Sequence, residues 1–276
     1  MTDMLDDVRD HYRANGLTER LRTALAALGS EDRPLTAQQL ATLDQFHTRG
    51  AAATAELAKL AGVTADTSVL DIGSGLGGPA RFLAATCGCR VAGVDLSASF
   101  VEAARYLTER TGQNGQVSFR TASALDLPFD DGGFDVVLLQ HVAMNIADRA
   151  LLYREIRRVL KPGGRFGTFD VVSAGGEPHY PLPWARTPAT SFLLTESATR
   201  EAVEPAGFRT LAWQDDTEAA ASWFAQLRAS GPPPSLNLGV VMGPDFAQLA
   251  ANLGRSLAEG RLGILTAVFE AAPLNA

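Results

Sequence analysis

The 276-residue chain carries 24 basic against 31 acidic residues, a formal charge of -7, and so lacks the positive field with which a protein gathers nucleic acid or an anionic membrane surface. With 46% hydrophobic residues it is long enough to bury a large core, and its size suits one elaborated α/β domain rather than two independent ones. Its cysteines, Cys87 and Cys89, stand too close along the chain to bridge comfortably and have no second pair for a zinc site, which excludes a disulfide scaffold and points to a reducing compartment.

The opening stretch MTDMLDDVRDHYR is acidic without an apolar core, so it does not read as a signal peptide. No window reaches the roughly 18 uninterrupted apolar residues of a membrane span, and a cytoplasmic location is expected. Residues 1–62 read as a helical N-terminal extension, with helical apolar spacing in LTERLRTALAALG (Leu17 to Gly29) and AAATAELAKLAG (Ala51 to Gly62). Tyr12, in the first predicted helix, either packs into the core or reaches an active site if that helix is a lid.

From residue 63 onward short β-like runs alternate with helical ones, the pattern of βαβ units around a parallel sheet. The strands are SVLDIG, RVAGVD, VSFRT, FDVVLLQ and RFGTFDVV; the helices run from Gly77 to Thr86, Ser97 to Thr111 and Asp148 to Leu160. Ser97 stands where it can cap its helix, and Pro162-Gly163-Gly164 is expected to end the third helix. The regular pattern breaks at SAGGEPHYPLPWARTPATS and resumes with a helix from about Ser197 and a sixth strand, FRTLAWQ. Two helical stretches separated by GPPPS precede a seventh strand, GILTAVFEA. Residues 63–276 thus form the core, with substrate-side inserts at about 173–196 and 214–262. HYPLPW (His179 to Trp184) either walls a substrate pocket or packs its own aromatics on the surface, and Trp223, Phe224 and Leu227 read as core.

Within VLDIGSGLGG, Gly73, Gly75 and Gly78 spell G-x-G-x-x-G at a strand-to-helix turn, where glycines let the backbone approach a nucleotide closely. Asp95, 22 residues after Gly73 at the end of the second strand, is spaced to take two ribose hydroxyls. Both features serve NAD and S-adenosylmethionine alike. Asp71 separates them: a carboxylate beside the turn repels a diphosphate but attracts the ammonium and sulfonium of the methyl donor.

VLDIGSGLGG, VAGVDLS, ALDLPFDDGGFDVVLLQ and LKPGGRF, in this order over roughly Val63 to Phe208, resemble the class I S-adenosylmethionine-dependent methyltransferases, in particular their small-molecule branch. The resemblance implies a Rossmann-like seven-stranded sheet of order 3-2-1-4-5-7-6 with the last strand antiparallel, flanked by the N-terminal helical extension and helical lid inserts. It implies cofactor contacts at Asp71, Gly73, Gly75, Asp95 and Leu96, to which Ser74 and Gln140 are added. Where family members often carry an acidic residue for the adenine amino group, this chain has Ser123, so Ser123 or the backbone of Ala124 takes that contact. Where many relatives carry a histidine after the fourth strand this chain has Asn145, and its histidine lies four residues earlier, at His141.

Methyl transfer is an in-line displacement that positioning alone accelerates, and a protonated acceptor gains from a general base near neutrality. His141, at the carboxyl end of the fourth strand, is the candidate base or substrate ligand; its bland alternative is a structural histidine bonded to backbone. DQFHTRG (Asp44 to Gly50) resembles the segment that folds over the cofactor in similar methyltransferases, with Gln45 and His47 as its polar candidates; a helix-capping junction also explains Thr48 to Gly50. Asn145 either holds a substrate polar group or caps the helix near Asp148. Asp126, Asp130 and Asp131 read as solvated loop charges, and no metal is expected. The expected reaction moves a methyl group from S-adenosylmethionine to O, N or C of a small, moderately hydrophobic metabolite or natural product, with a homodimer as candidate assembly. An NAD(P)-dependent oxidoreductase and a non-methylating cofactor binder, such as a cyclase, remain the alternatives.

Overall fold

The computed structural model describes residues 16–29, 33–231 and 234–272, so Tyr12 lies outside the described residues. Seven strands form one sheet: β1 (Ser68–Ile72), β2 (Arg90–Asp95), β3 (Val117–Thr121), β4 (Phe134–Gln140), β5 (Leu160–Ser173), β6 (Phe208–Asp215) and β7 (Leu262–Ala271). Their order is β3-β2-β1-β4-β5-β7-β6, parallel except for β7, which runs antiparallel to both β5 and β6. This is the expected α/β architecture.

The central strands are apolar on both faces because helices cover both. Alternation along β1 sends Val69 to one face, with Leu57 and Ala61 of α3 (Ala51–Ala61) and Leu83 of α4 (Gly78–Cys87). Leu70 faces the other side, with Leu152, Tyr153 and Ile156 of α6 (Arg149–Val159). A third apolar cluster joins Leu17, Leu21 and Leu25 of α1 (Leu17–Ala27) and Leu40 and Leu43 of α2 (Ala37–Asp44) to Phe100, Ala103 and Leu107 of α5 (Ala98–Arg110). Leu236 and Val241, from the long connection between β6 and β7, complete that cluster, and the Thr42 hydroxyl donates to the Leu236 carbonyl. Among the described residues no helix is long and apolar enough to cross a membrane.

Four sequence expectations change. Helix α6 ends at Val159, and β5 begins at once because Leu160 pairs with Phe134; Pro162-Gly163-Gly164 lies in an irregularity of that strand before pairing resumes at Arg165. Ser97 sits at the N-cap of α5 without a side-chain capping bond, its backbone N–H donating to Asp95 Oδ1 (2.9 Å) and its hydroxyl lying 2.9 Å from Ser99 Oγ. The HYPLPW stretch neither walls the cleft nor packs on the surface: Leu182 and Trp184 are buried in the main core, and the Trp184 indole N–H donates to Ser191 Oγ (2.9 Å). Between β6 and β7 run three helices, α8 (Thr217–Ala229), α9 (Gly239–Met242) and α10 (Phe246–Ala258); Phe224 is core, whereas Leu227 is exposed. The remaining helix, α7, spans Glu196–Val203.

The N-terminal segment is seated on the glycine turn. A Cβ at Gly78 would lie 1.6 Å from the Asp44 carbonyl oxygen, so only glycine lets α2 end there. Buried Arg81, on the same helix as Gly78, pairs with the Asp44 carboxylate and donates to the Leu76 carbonyl (2.7 Å). The Gly78→Ala variant should therefore lose about 1–3 kcal/mol of stability, the range for forcing atoms into a packed site. Chemical denaturation measures it, and a variant as stable as its parent would contradict this seating.

Candidate active site

The carboxyl ends of β1, β2 and β4, the turn after β3 and the segment 44–47 open on a single cleft. Twelve of the site residues expected from sequence line it: Asp71, Gly73, Ser74 and Gly75 along the glycine turn; Asp95 and Leu96 after β2; Ser123 and Ala124 after β3; Gln140, His141 and Asn145 at β4; and His47 from the N-terminal segment; Gln45, the other polar candidate of that segment, does not. Asp126, Asp130 and Asp131 do not line it, and among the described residues no cluster of His, Cys, Asp or Glu could hold a metal ion.

The glycine turn spends its own donors. Gly73 and Ser74 N–H donate to the Val94 carbonyl (2.8 and 2.9 Å), Gly75 N–H to Asp95 Oδ2 (2.9 Å) and Gly77 N–H to the Ser74 carbonyl (2.7 Å). Only Gly75 meets nothing within 4 Å of a notional Cβ; Gly73 is closed by Val142 and Gly78 by Asp44. Of the three fingerprint glycines, one leaves room for a ligand and two admit other parts of the chain.

Asp71 is 2% exposed, and its Oδ2 is buried without a hydrogen-bond partner. Burial, reinforced by the charge of Asp95, pushes its pKa up to about 7. Burial also raises Asp95, opposed by the N–H groups of Ser97 and Gly75. Ser74 Oγ and Gln140 Nε2 are likewise buried and unpartnered. Three orphaned polar atoms around one cleft fit a polar ligand, because buried polar groups in folded proteins are otherwise paired. The lining includes Asp44, Asp71 and Asp95 and neither lysine nor arginine, so the ligand it suits is cationic.

His141 follows β4 in a left-handed conformation (φ 53°), its N–H donating to the Phe169 carbonyl (2.8 Å) and its ring stacked on Phe169 at 5.1 Å. His47 is buried, with Nδ1 3.0 Å from the Thr48 carbonyl, which makes Nδ1 the donor. Its Nε2 lies 3.0 Å from Gln45 Oε1 and 3.1 Å from the Thr54 hydroxyl, whose oxygen also lies 3.1 Å from Gln140 Oε1. Burial lowers His47 to about 4; burial and then the neighbouring His47 hold His141 well below the ordinary histidine value. Both rings are uncharged at pH 7.

Asn145 donates to the Val142 carbonyl (3.2 Å) inside a 3₁₀ turn, while Asp148 caps α6 by accepting from Leu151 N–H (2.9 Å), so the capping alternative for Asn145 is wrong. Ser123 Oγ accepts from Leu125 N–H (3.1 Å). Two residues that shape the site escaped the sequence reading. Buried Asp170 of β5 accepts from Ala143 N–H (2.7 Å) and so holds the turn after β4; an acid inside the apolar run FGTFDVV was its only signal. Thr48, 2% exposed, brings its hydroxyl to 3.3 Å from His141 Nε2, which nothing in its local sequence announces.

Residues 70–168 match the family described as Methyltransferase domain. The chain is 34% identical over 170 residues to Methyltransferase GfsG of Streptomyces halstedii, covering 61% of this chain and 59% of that protein. It therefore spans about three fifths of the length of that curated relative. Its fold is similar to that of geranyl diphosphate C-methyltransferase from Streptomyces coelicolor (TM-score 0.70, 19% identity, 98% of each chain covered). It is also similar to that of the cyclase SpnF (TM-score 0.66, 23% identity, 87% of this chain and 98% of that one).

Asp71 makes ligand-free stability depend on pH. Its folded pKa of about 7 stands above the ordinary 3.8, so its contribution is full below about 4 and is lost as pH rises through 7. The Asp71→Asn variant should gain on its parent between pH 4 and 7 and level off above, by up to about 4 kcal/mol. Thermal unfolding across that range tests this; parallel stability curves would show that Asp71 keeps an ordinary pKa.

Proposed function

On the premise that residues 70–168 form a methyltransferase domain of the class I S-adenosylmethionine-dependent kind, we propose that this protein methylates a hydroxyl of a small, uncharged, moderately apolar acceptor. The observation that carries the reading is the buried Asp71 carboxylate, with one oxygen unpaired, sharing a cleft with Asp95 and no cationic side chain. S-adenosylmethionine, when bound, supplies a methyl group on positively charged sulfur. Asp71 attracts the ammonium and sulfonium side of that ligand, and ionises more readily as it does so. Asp95 accepts from the ribose hydroxyls, and the Ser74 hydroxyl and Gln140 amide are donors still in search of acceptors. Gly73, Ser74, Leu96, Ser123 and Ala124 wall the nucleotide, and Gly75 leaves it space.

A dinucleotide is disfavoured twice over. Its diphosphate would face two carboxylates, and the turn's N–H groups at Gly73, Ser74, Gly75 and Gly77 are already committed. The absence of lysine and arginine from the lining extends the same objection to acceptors bearing phosphate or carboxylate groups. An uncharged acceptor meets His141, His47 and Asn145 instead. His141 is unprotonated at pH 7 and so stands ready to accept the hydroxyl proton. A weak base suffices, because the acceptor's proton becomes strongly acidic as its oxygen bonds to carbon.

Calorimetry with adenosylhomocysteine and NADH, followed by transfer of labelled methyl to small hydroxylated acceptors, tests the reading. Adenosylhomocysteine should bind and NADH should not; the opposite result restores the oxidoreductase. Tight adenosylhomocysteine binding without transfer to any acceptor would favour a protein that keeps the fold and has lost the reaction. Asp95→Ala should weaken adenosylhomocysteine binding by about 1–3 kcal/mol through lost charge-assisted hydrogen bonds. His141→Ala should lower turnover about 100-fold while cofactor affinity holds; full turnover would return His141 to a structural role.

A further inference from the structure

Two segments meet at the chemical end of the cleft, and both are held in backbone conformations rare for L residues. Among the described residues the non-glycine positions with positive φ are Arg49 (63°) and His141 (53°). Each costs on the order of 1–2 kcal/mol, so it persists only where the surroundings demand it. They flank one contact, the 3.3 Å approach of Thr48 Oγ1 to His141 Nε2.

The surroundings do demand it. Arg49 Nη2 lies 2.8 and 2.7 Å from the two carboxylate oxygens of Glu56 in α3, and Nη1 lies 3.3 Å from Asp216 Oδ2 at the start of α8. Asp216 is itself bound by the Thr266 hydroxyl of β7. The Arg49 guanidinium therefore ties the turn to α3 and, through Asp216, to the sheet. The turn so fixed aims one residue at both histidines: the Thr48 carbonyl accepts from His47 Nδ1, and the Thr48 hydroxyl meets His141. The other ring nitrogen of His141, Nδ1, has no protein partner among the described residues, and the ring lines the cleft.

We propose that Thr48 is the positioning residue for His141: the His141 Nε2–H donates to Thr48 Oγ1, which orients the ring and leaves the Nδ1 lone pair to the acceptor. This rests on the reading of His141 as the group that receives the acceptor proton. In that step the acceptor oxygen bonds to the methyl carbon as the carbon–sulfur bond of S-adenosylmethionine breaks, its electron pair staying on sulfur to leave neutral adenosylhomocysteine, and the acceptor O–H bond breaks with its proton passing to Nδ1. The resulting imidazolium keeps its Nε2–H bond to Thr48 until it releases the proton to water. The logic is that of a base oriented by a third group. An uncharged hydroxyl suits a half-buried ring that is neutral between turnovers, since a carboxylate there would be a further charge without a partner beside Asp71.

The test needs no acceptor. The full chain, with ¹⁵N-labelled histidines and saturated with adenosylhomocysteine, reports the His141 tautomer by NMR, the His141 signals being identified by their loss in His141→Gln. The parent should show a pyridine-type Nδ1 and a pyrrole-type Nε2. Thr48→Val, which sets a methyl against that N–H, should lose this pure form in favour of Nδ1–H, and Thr48→Ser should restore it. Melting temperature and adenosylhomocysteine affinity should hold in both variants. A proton on Nδ1 in the parent overturns the proposal whatever the variants do, as does an unchanged His141 spectrum in Thr48→Val. Failure of methyl transfer alongside the expected spectra would sink the transferase reading and leave the Thr48–His141 pairing standing.

Discussion

At the tips of β1 and β2 a buried carboxylate, Asp71, and a half-buried one, Asp95, face one cleft, and no side chain of opposite charge lines it. An unpaired buried charge is among the costliest features a fold can carry. The protein tolerates it partly by retaining protons, with Asp71 pushed up to about 7, and partly by letting Asp95 accept N–H groups from Gly75 and Ser97. Neither measure satisfies Asp71 Oδ2. A cationic ligand does, and the rest of the site follows from that: a turn whose N–H groups at Gly73, Ser74, Gly75 and Gly77 are spent within the protein, one open glycine, and walls without lysine or arginine.

The enclosure of the cleft is built from parts distant in sequence. Segment 44–50 reaches it because Gly78 yields space to Asp44 and Arg81 clasps that residue's carboxylate. The connection between β6 and β7 closes over the N-terminal helices, burying Leu236 and Val241 among the leucines of α1 and α2. The matched domain, residues 70–168, contributes the strand-tip lining of the cleft, whereas His47 and Thr48 lie outside it.

The division also explains the pattern of correct and incorrect expectations. β2, β3 and β4 run over the expected residues because each is a short apolar run bounded by turn residues, a signal that is local. HYPLPW misled because prolines and aromatics describe a loop without saying whether the body of the protein lies over it; Leu182 and Trp184 are buried in the same apolar cluster as Phe224 of α8 and Leu253 and Leu257 of α10, far along the chain. Ser97 reads as a cap locally, yet its backbone N–H is claimed by Asp95, which turns the entry to α5 to another use.

By itself the sequence determined the sheet, its order through a motif resemblance, and the set of residues that gather at the strand tips, since glycine, aspartate and apolar alternation act over a few residues. It also determined the sign of the cleft, through Asp71 and Asp95. Only the tertiary structure decided which fingerprint glycine faces the ligand, that Asp170 braces the turn after β4, and that Thr48 stands against His141. These are contacts between segments tens of residues apart, set by packing and backbone direction. A local pattern carries no record of what another part of the chain will bring to the same point in space.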